Sequence, residues 1–160
     1  VKKKCDPPVY MSHHEVPLFL EERGAFNIVL AADLAAGVRA LSKVVDGFDG
    51  PLEPELIARA GALTLESGGK VAVAVFLTQP PGSPGFVNDA IHECVHAADA
   101  ALSRVGVRIE ERAGGEAPAY LTAWMAEKVF RLEKKVLTRR RACAKVRATK
   151  AKKGLKGKGK

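Results

Sequence analysis

His92, Glu93, Cys94, Val95 and His96 form an H-E-x-x-H pentad. Residues four apart in an α-helix sit one turn above each other, so both imidazoles face the same way and can grip one zinc ion. The carboxylate between them lies beside that ion, where it can take a proton from bound water. The bland alternative is an exposed pair of helical histidines next to a solvated glutamate. The surrounding pattern favours chemistry. Ile91, Val95, Ala98, Leu102 and Val105 make an apolar stripe, and at 100° per residue His92, His96, Asp99 and Ser103 fall on another face. Cys94 points to the buried side and reads as inert core rather than as a ligand.

A catalytic zinc needs a third protein ligand and one open position. Glu116 is the best candidate. It lies twenty residues beyond His96, at the start of a helix that follows a turn, and a carboxylate there suits the helix dipole. Asp99, three residues after His96, either orients an imidazole or is itself the third ligand. Glu110, Glu111, His13 and His14 are weaker alternatives. Tyr120 shares a face with Glu116, and its hydroxyl could stabilise an oxyanion; a tyrosine that simply packs with one end wet is the competing reading. In this scheme Glu93 is the general base, and the products come from hydrolysis of a peptide bond by metal-activated water.

The elements that position these residues can be read along the chain. Residues 1–12 look like a flexible arm, with Pro7 and Pro8 blocking regular structure. Val16 to Leu20 predicts a strand, with Pro17 suggesting an edge. Ile28 to Val45 fits a helix, although Phe26 to Leu30 also suits extended chain. Gly47, Gly50, Pro51 and Pro54 mark a loop, and Leu56 to Ala60 a short helical turn. Ala62 to Glu66 and Lys70 to Thr78 flank Ser67-Gly68-Gly69, a hairpin signal. Both faces of the second strand are apolar, which predicts cover on both sides. The pentad helix is expected from Asn88 or Asp89 to about Val105, stopped by Gly106. The last helix begins near Glu116, tolerates Pro118 in its first turn, and buries Leu121, Met125, Val129 and Leu132. Trp124 reads as core or rim. The edge of Lys70 to Thr78 is the expected seat for an extended peptide.

The segments Val71–Leu77, Ala90–Asp99 and Gly115–Trp124 together resemble the small zincin-like proteins encoded by tailed bacteriophages. There a His-Glu-x-x-His helix is followed by a Gly-Glu-x-x-Ala-Tyr-Leu helix, matched here by Gly115, Glu116, Ala119, Tyr120 and Leu121. The resemblance covers about residues 60–130. It implies an α+β zincin-like fold, in which a small mixed or antiparallel sheet packs on the pentad helix and a following C-terminal helix. It also implies Glu116 as third ligand in the gluzincin manner, and a metallopeptidase of unassigned substrate. The metzincin pattern does not fit, because its glycine falls on Asp99 and its third histidine on Leu102. A basic tail is also similar to that of SprT-like proteases, whose full pattern is not seen.

The net charge of +8 is unevenly distributed. Lys134 to Lys160 holds thirteen Lys or Arg and no acid, whereas the remaining residues carry thirteen basic and eighteen acidic groups, a net of −5. The expectation is one domain over 13–137 and a basic, largely disordered tail over 138–160. Such a tail suits non-specific contact with nucleic acid. No apolar run is long enough for a membrane span, and no signal-like core follows Val1 to Lys4, so a cytoplasmic location is expected, the host's if phage-encoded, with virion association as a variant. Three widely spaced cysteines suit a reducing compartment. The expected function is a zinc-dependent peptidase acting on a protein or peptide. The alternative is a catalytically inactive, metal-stabilised structural or nucleic-acid-associated protein.

Overall fold

Apolar side chains occupy both faces of residues 25–31 and 71–77, and these segments become the two central strands of a sheet. The computed structural model describes residues 9–16, 24–43, 62–67, 70–104, 106–107 and 116–156. Its elements are β1 (Val9–Val16), β2 (Gly24–Ala31), α1 (Leu34–Leu41), β3 (Ala62–Ser67), β4 (Lys70–Leu77), α2 (Pro84–Arg104) and α3 (Glu116–Lys156). The strands form one mixed sheet in the order β1-β2-β4-β3. β1 pairs antiparallel with β2, β2 runs parallel to β4 (Ile28 opposite Val75), and β3 returns antiparallel along β4 (Thr64 opposite Val73). The fold is α+β.

The period-two alternation of the central strands sorts their side chains into two cores. Phe26, Ile28, Leu30, Val73, Val75 and Leu77 face α2 and α3. Val29, Ala31, Ala74 and Phe76 face α1 through Leu41 and the half-buried Leu34 and Val38. The strand with two apolar faces is thus covered on both. α1 lies so close to the sheet that a Cβ on Gly37 would stand 3.0 Å from Val29 Cγ1. Asp33 caps this helix, accepting from the N–H groups of Ala35 (3.0 Å) and Ala36 (3.3 Å).

Several boundaries differ from the sequence reading. Residues 9–12 belong to β1 rather than to a flexible arm, because their backbone pairs with residues 28–31 of β2. Of the strand expected over Val16 to Leu20, Val16 belongs to β1, and residues 17–20 lie outside the described residues. The helix expected from Ile28 divides into β2 and α1, because burial on both sides overrides the helical spacing. The turn at Leu56 to Ala60 lies outside the described residues. α2 starts at Pro84, four residues before Asn88. Ser83 provides its cap, accepting at Oγ from the Phe86 N–H (3.3 Å), and Pro84 occupies the first turn, where its missing donor is harmless. The helix stops as expected at Gly106, whose φ of 79° allows a Schellman closure: Gly106 N–H donates to Ser103 O (3.2 Å) and Val107 N–H to Leu102 O (3.1 Å).

The largest departure concerns 138–160. α3 runs to Lys156, so residues 138–156 are helical rather than disordered. Ala, Lys and Arg dominate this stretch, all good helix formers, and no glycine interrupts it before Gly154. Positive charge near a helix C-terminus also suits the dipole. Leu121, Met125, Val129, Leu132 and Val136 bury the inner face of α3 against the first core, and Gly82 N–H donates to Glu133 Oε1 (2.8 Å), tying the helix to the loop before α2.

β1 carries two histidines into this framework. His13 Nδ1 donates to Oδ1 of the buried Asn27 (2.9 Å). His14 Nε2 meets Ser12 Oγ (3.1 Å), and its ring stands edge-on to Trp124. Burial holds the His14 pKa below its ordinary value, reinforced by the positive charges of Lys128, His13, Lys135 and Arg131. A histidine with a depressed pKa stabilises the fold fully above the unfolded value of about 6.5 and loses that contribution as pH falls toward the folded one. A His14→Gln variant should therefore lose less stability than the parent between pH 7.5 and 5.5, measured by urea denaturation. Met125 is fully buried, and Met125→Ala should cost about 2–5 kcal/mol in the same assay.

Candidate metal centre

α2 approaches the sheet through small side chains. Ala90, Cys94, Ala97, Ala98 and Ala101 are buried, with Phe86 and Leu102 at the two ends. This face differs from the stripe expected from sequence: Ala98 and Leu102 are buried, but Ile91 is 46% and Val95 50% exposed. Size explains the rotation. Alanines and a cysteine at three- and four-residue steps let the helix lie close to β4, which larger residues would hold off. Val87, Ile91 and Val95 consequently form an apolar ridge on the surface.

That rotation sets the disposition of the pentad. His92 and His96 are exposed, and their Nε2 atoms lie 3.1 Å apart with ring centroids 4.6 Å apart. At this separation both nitrogens cannot carry protons toward each other, so at least one presents a lone pair. Two nitrogens of one tetrahedral zinc at ~2.0–2.1 Å would stand roughly 3.3–3.4 Å apart, close to the spacing found. Glu93 lies between them in the chain and is half-buried, and its Oε2 is buried without a hydrogen-bond partner among the described residues. Burial raises its pKa, the two imidazoles oppose that shift, and Asp89 adds to it. A buried carboxylate oxygen left unpaired beside two converging imidazole nitrogens is what a site completed by a cation and water would leave in the protein.

Other candidates are placed less closely. Glu116 opens α3 and is exposed, and Tyr120, one turn on, is 69% exposed. Asp99 is exposed on α2, one turn beyond His96. Among the described residues no three His, Cys, Asp or Glu side chains are arranged to hold an ion together, so neither Glu116 nor Asp99 is brought into a three-ligand set with the histidine pair. His13 and His14 are engaged with Asn27 and Trp124 instead. Glu110 and Glu111 lie outside the described residues. Trp124 is rim, packed on Phe26 with Lys128 over its ring. The edge expected from Lys70 to Thr78 is corrected: β4 is flanked by β2 and β3, so its backbone is already paired, and among the described strands the one at that end of the sheet is β3. Sequence reading missed the surface ridge and Asn27. The ridge was legible in the Ala90–Cys94–Ala97–Ala101 spacing; a lone Asn in an apolar strand carries no signal of its partner.

No known protein-family model matches the chain, and comparisons with curated proteins and with solved structures find no significant match. No helix among the described residues is long and apolar enough to cross a membrane.

Cys94 is buried, and burial with the neighbouring Glu93 charge pushes its thiol up to about 12. Iodoacetamide at pH 8 should leave Cys94 unmodified in the native chain and label it after denaturation, as peptide mapping would show.

Proposed function

We propose that the chain is a zincin-type zinc metallopeptidase, with His92 and His96 as ligands, Glu116 as the third, and Glu93 as general base. The observation that carries this reading is the pair of Nε2 atoms 3.1 Å apart with the unpartnered Oε2 of Glu93 buried beside them. Glu116 begins the helix that packs along α2, and its exposed carboxylate would exchange its hydration for the charge of an ion on turning toward it. Asp99 is the alternative third ligand, or a positioning group for one imidazole. A zinc ion held there would supply Lewis acidity, lowering the pKa of water toward ~7 and polarising a carbonyl.

The residues of the chain do the rest. The two imidazoles fix the reacting centre on the exposed face of α2. Glu93 takes the proton from water and returns it to the departing amine, and partial burial brings its basicity closer to neutral pH, where proton transfer in both directions is efficient. Tyr120 offers a hydroxyl to the developing oxyanion. An extended peptide would add to the β3 edge by backbone pairing, and the Val87–Ile91–Val95 ridge would receive an apolar side chain beside the scissile bond.

Glu93→Gln should retain one equivalent of zinc by elemental analysis and lose roughly 10²–10⁴-fold in peptide hydrolysis, the span of general acid–base contributions. His92→Ala or His96→Ala should lose the zinc itself. Hydrolysis that survives in Glu93→Gln, or that is indifferent to chelator, refutes the mechanism. Stoichiometric zinc without cleavage of any peptide in a library would assign the site to a structural role.

A further inference from the structure

α3 outlasts the core it packs against. Among the described side chains the last buried one is Val136, yet the helix continues to Lys156, roughly 30 Å further at 1.5 Å per residue. From Lys134 onward the sequence has no acid. Residues 144–149 are all exposed, and this stretch of helix carries its charges in rows. At 100° per residue Lys134, Arg141 and Lys145 fall within about 40° of one another, and the exposed Arg147 lies about 140° around the axis, on the same side as the half-buried Arg140. Between the two rows lie Ala144 and Ala148, exposed and with the smallest of side chains. Lys135 and Arg139 lie on the remaining side, so the rod carries cations all round its axis with one strip of methyl groups between two of the rows, and that strip can approach the floor of a groove whose walls are phosphate.

The geometry points to double-stranded DNA as the partner of residues 138–156, with the helix seated in the major groove. An α-helix is ~10–12 Å across and the major groove of B-DNA is about 12 Å wide, whereas the major groove of A-form RNA is too narrow to admit it. The flanking Arg and Lys would neutralise phosphates on opposite walls, and the alanine strip would let the backbone approach base edges without specifying sequence. A membrane surface fits less well. A helix lying on lipid needs a broad face of large apolar residues, and here that strip is alanine with no aromatic residue anywhere from Lys134 onward. The inference is independent of the peptidase proposal, since it uses none of its residues.

The test uses the full chain and a fluorescein-labelled 24-base-pair DNA duplex, followed by anisotropy at salt concentrations from 50 to 200 mM. The affinity should fall linearly on a log–log plot. The triple variant Arg141→Gln, Lys145→Gln, Arg147→Gln should keep its helicity by circular dichroism and flatten that slope by about 2.7, at ~0.9 per lost phosphate contact. Saturating protein should displace methyl green from the major groove and still bind DNA preloaded with distamycin in the minor groove. Glu93→Gln should bind DNA as the parent does. Unchanged DNA affinity in the triple variant, equal affinity for an RNA duplex of the same sequence, or stronger binding to vesicles containing phosphatidylserine overturns the inference.

Discussion

The close approach of α2 to the sheet is the constraint on which the rest depends. Ala90, Cys94, Ala97 and Ala101 are buried in the core that the helix shares with β4 and α3, and that packing fixes its rotation. Once the rotation is set, three consequences follow without further design. Both imidazoles face outward together, the carboxylate between them is drawn partly out of water, and an aliphatic ridge is left at the surface. A larger residue at any of the four positions would push the helix away and turn it, which explains why the buried face consists of small side chains although the chain is rich in Val and Leu elsewhere.

Much of the arrangement was legible in the residues themselves. The hairpin of β3 and β4 follows from Ser67-Gly68-Gly69 and the flanking apolar runs, and the two-sided burial of β4 follows from having no polar face. The end of α2 was readable from Gly106, and the inner face of α3 from Leu121, Met125, Val129 and Leu132. What was not legible is equally physical. Leu30, Leu34, Val38 and Leu41 keep helical spacing across a strand-to-helix boundary, so periodicity alone cannot locate the break at Asp33; only pairing of β2 with two neighbours does. Size rather than hydrophobicity chose the buried face of α2, and a pattern that counts apolar residues gives Ile91 and Val95 more weight than Ala97. The histidine pair is local and could be read directly. A third ligand depends on how two helices meet, which spacing does not determine.

α3 joins two regimes in one continuous helix. Its first half is held by burial: Met125 and Val129 are core, and Glu133 is bonded to the backbone of the loop before α2. Its second half is held by intrinsic helix propensity and by a dipole that favours its cations. Arg139 over the Tyr10 ring marks the region where one regime gives way to the other. Residues 138–156 are therefore joined to the body without an intervening glycine hinge.

The two unspecified positions of the pentad are not equivalent. Cys94 is fully buried, so a larger side chain there must displace its neighbours in the core, whereas Val95 is half exposed. A mutagenic library that randomised both with the same codon mixture would lose most of its members to the first position. Diversity confined to the second would leave the scaffold intact while reshaping the rim beside the histidines.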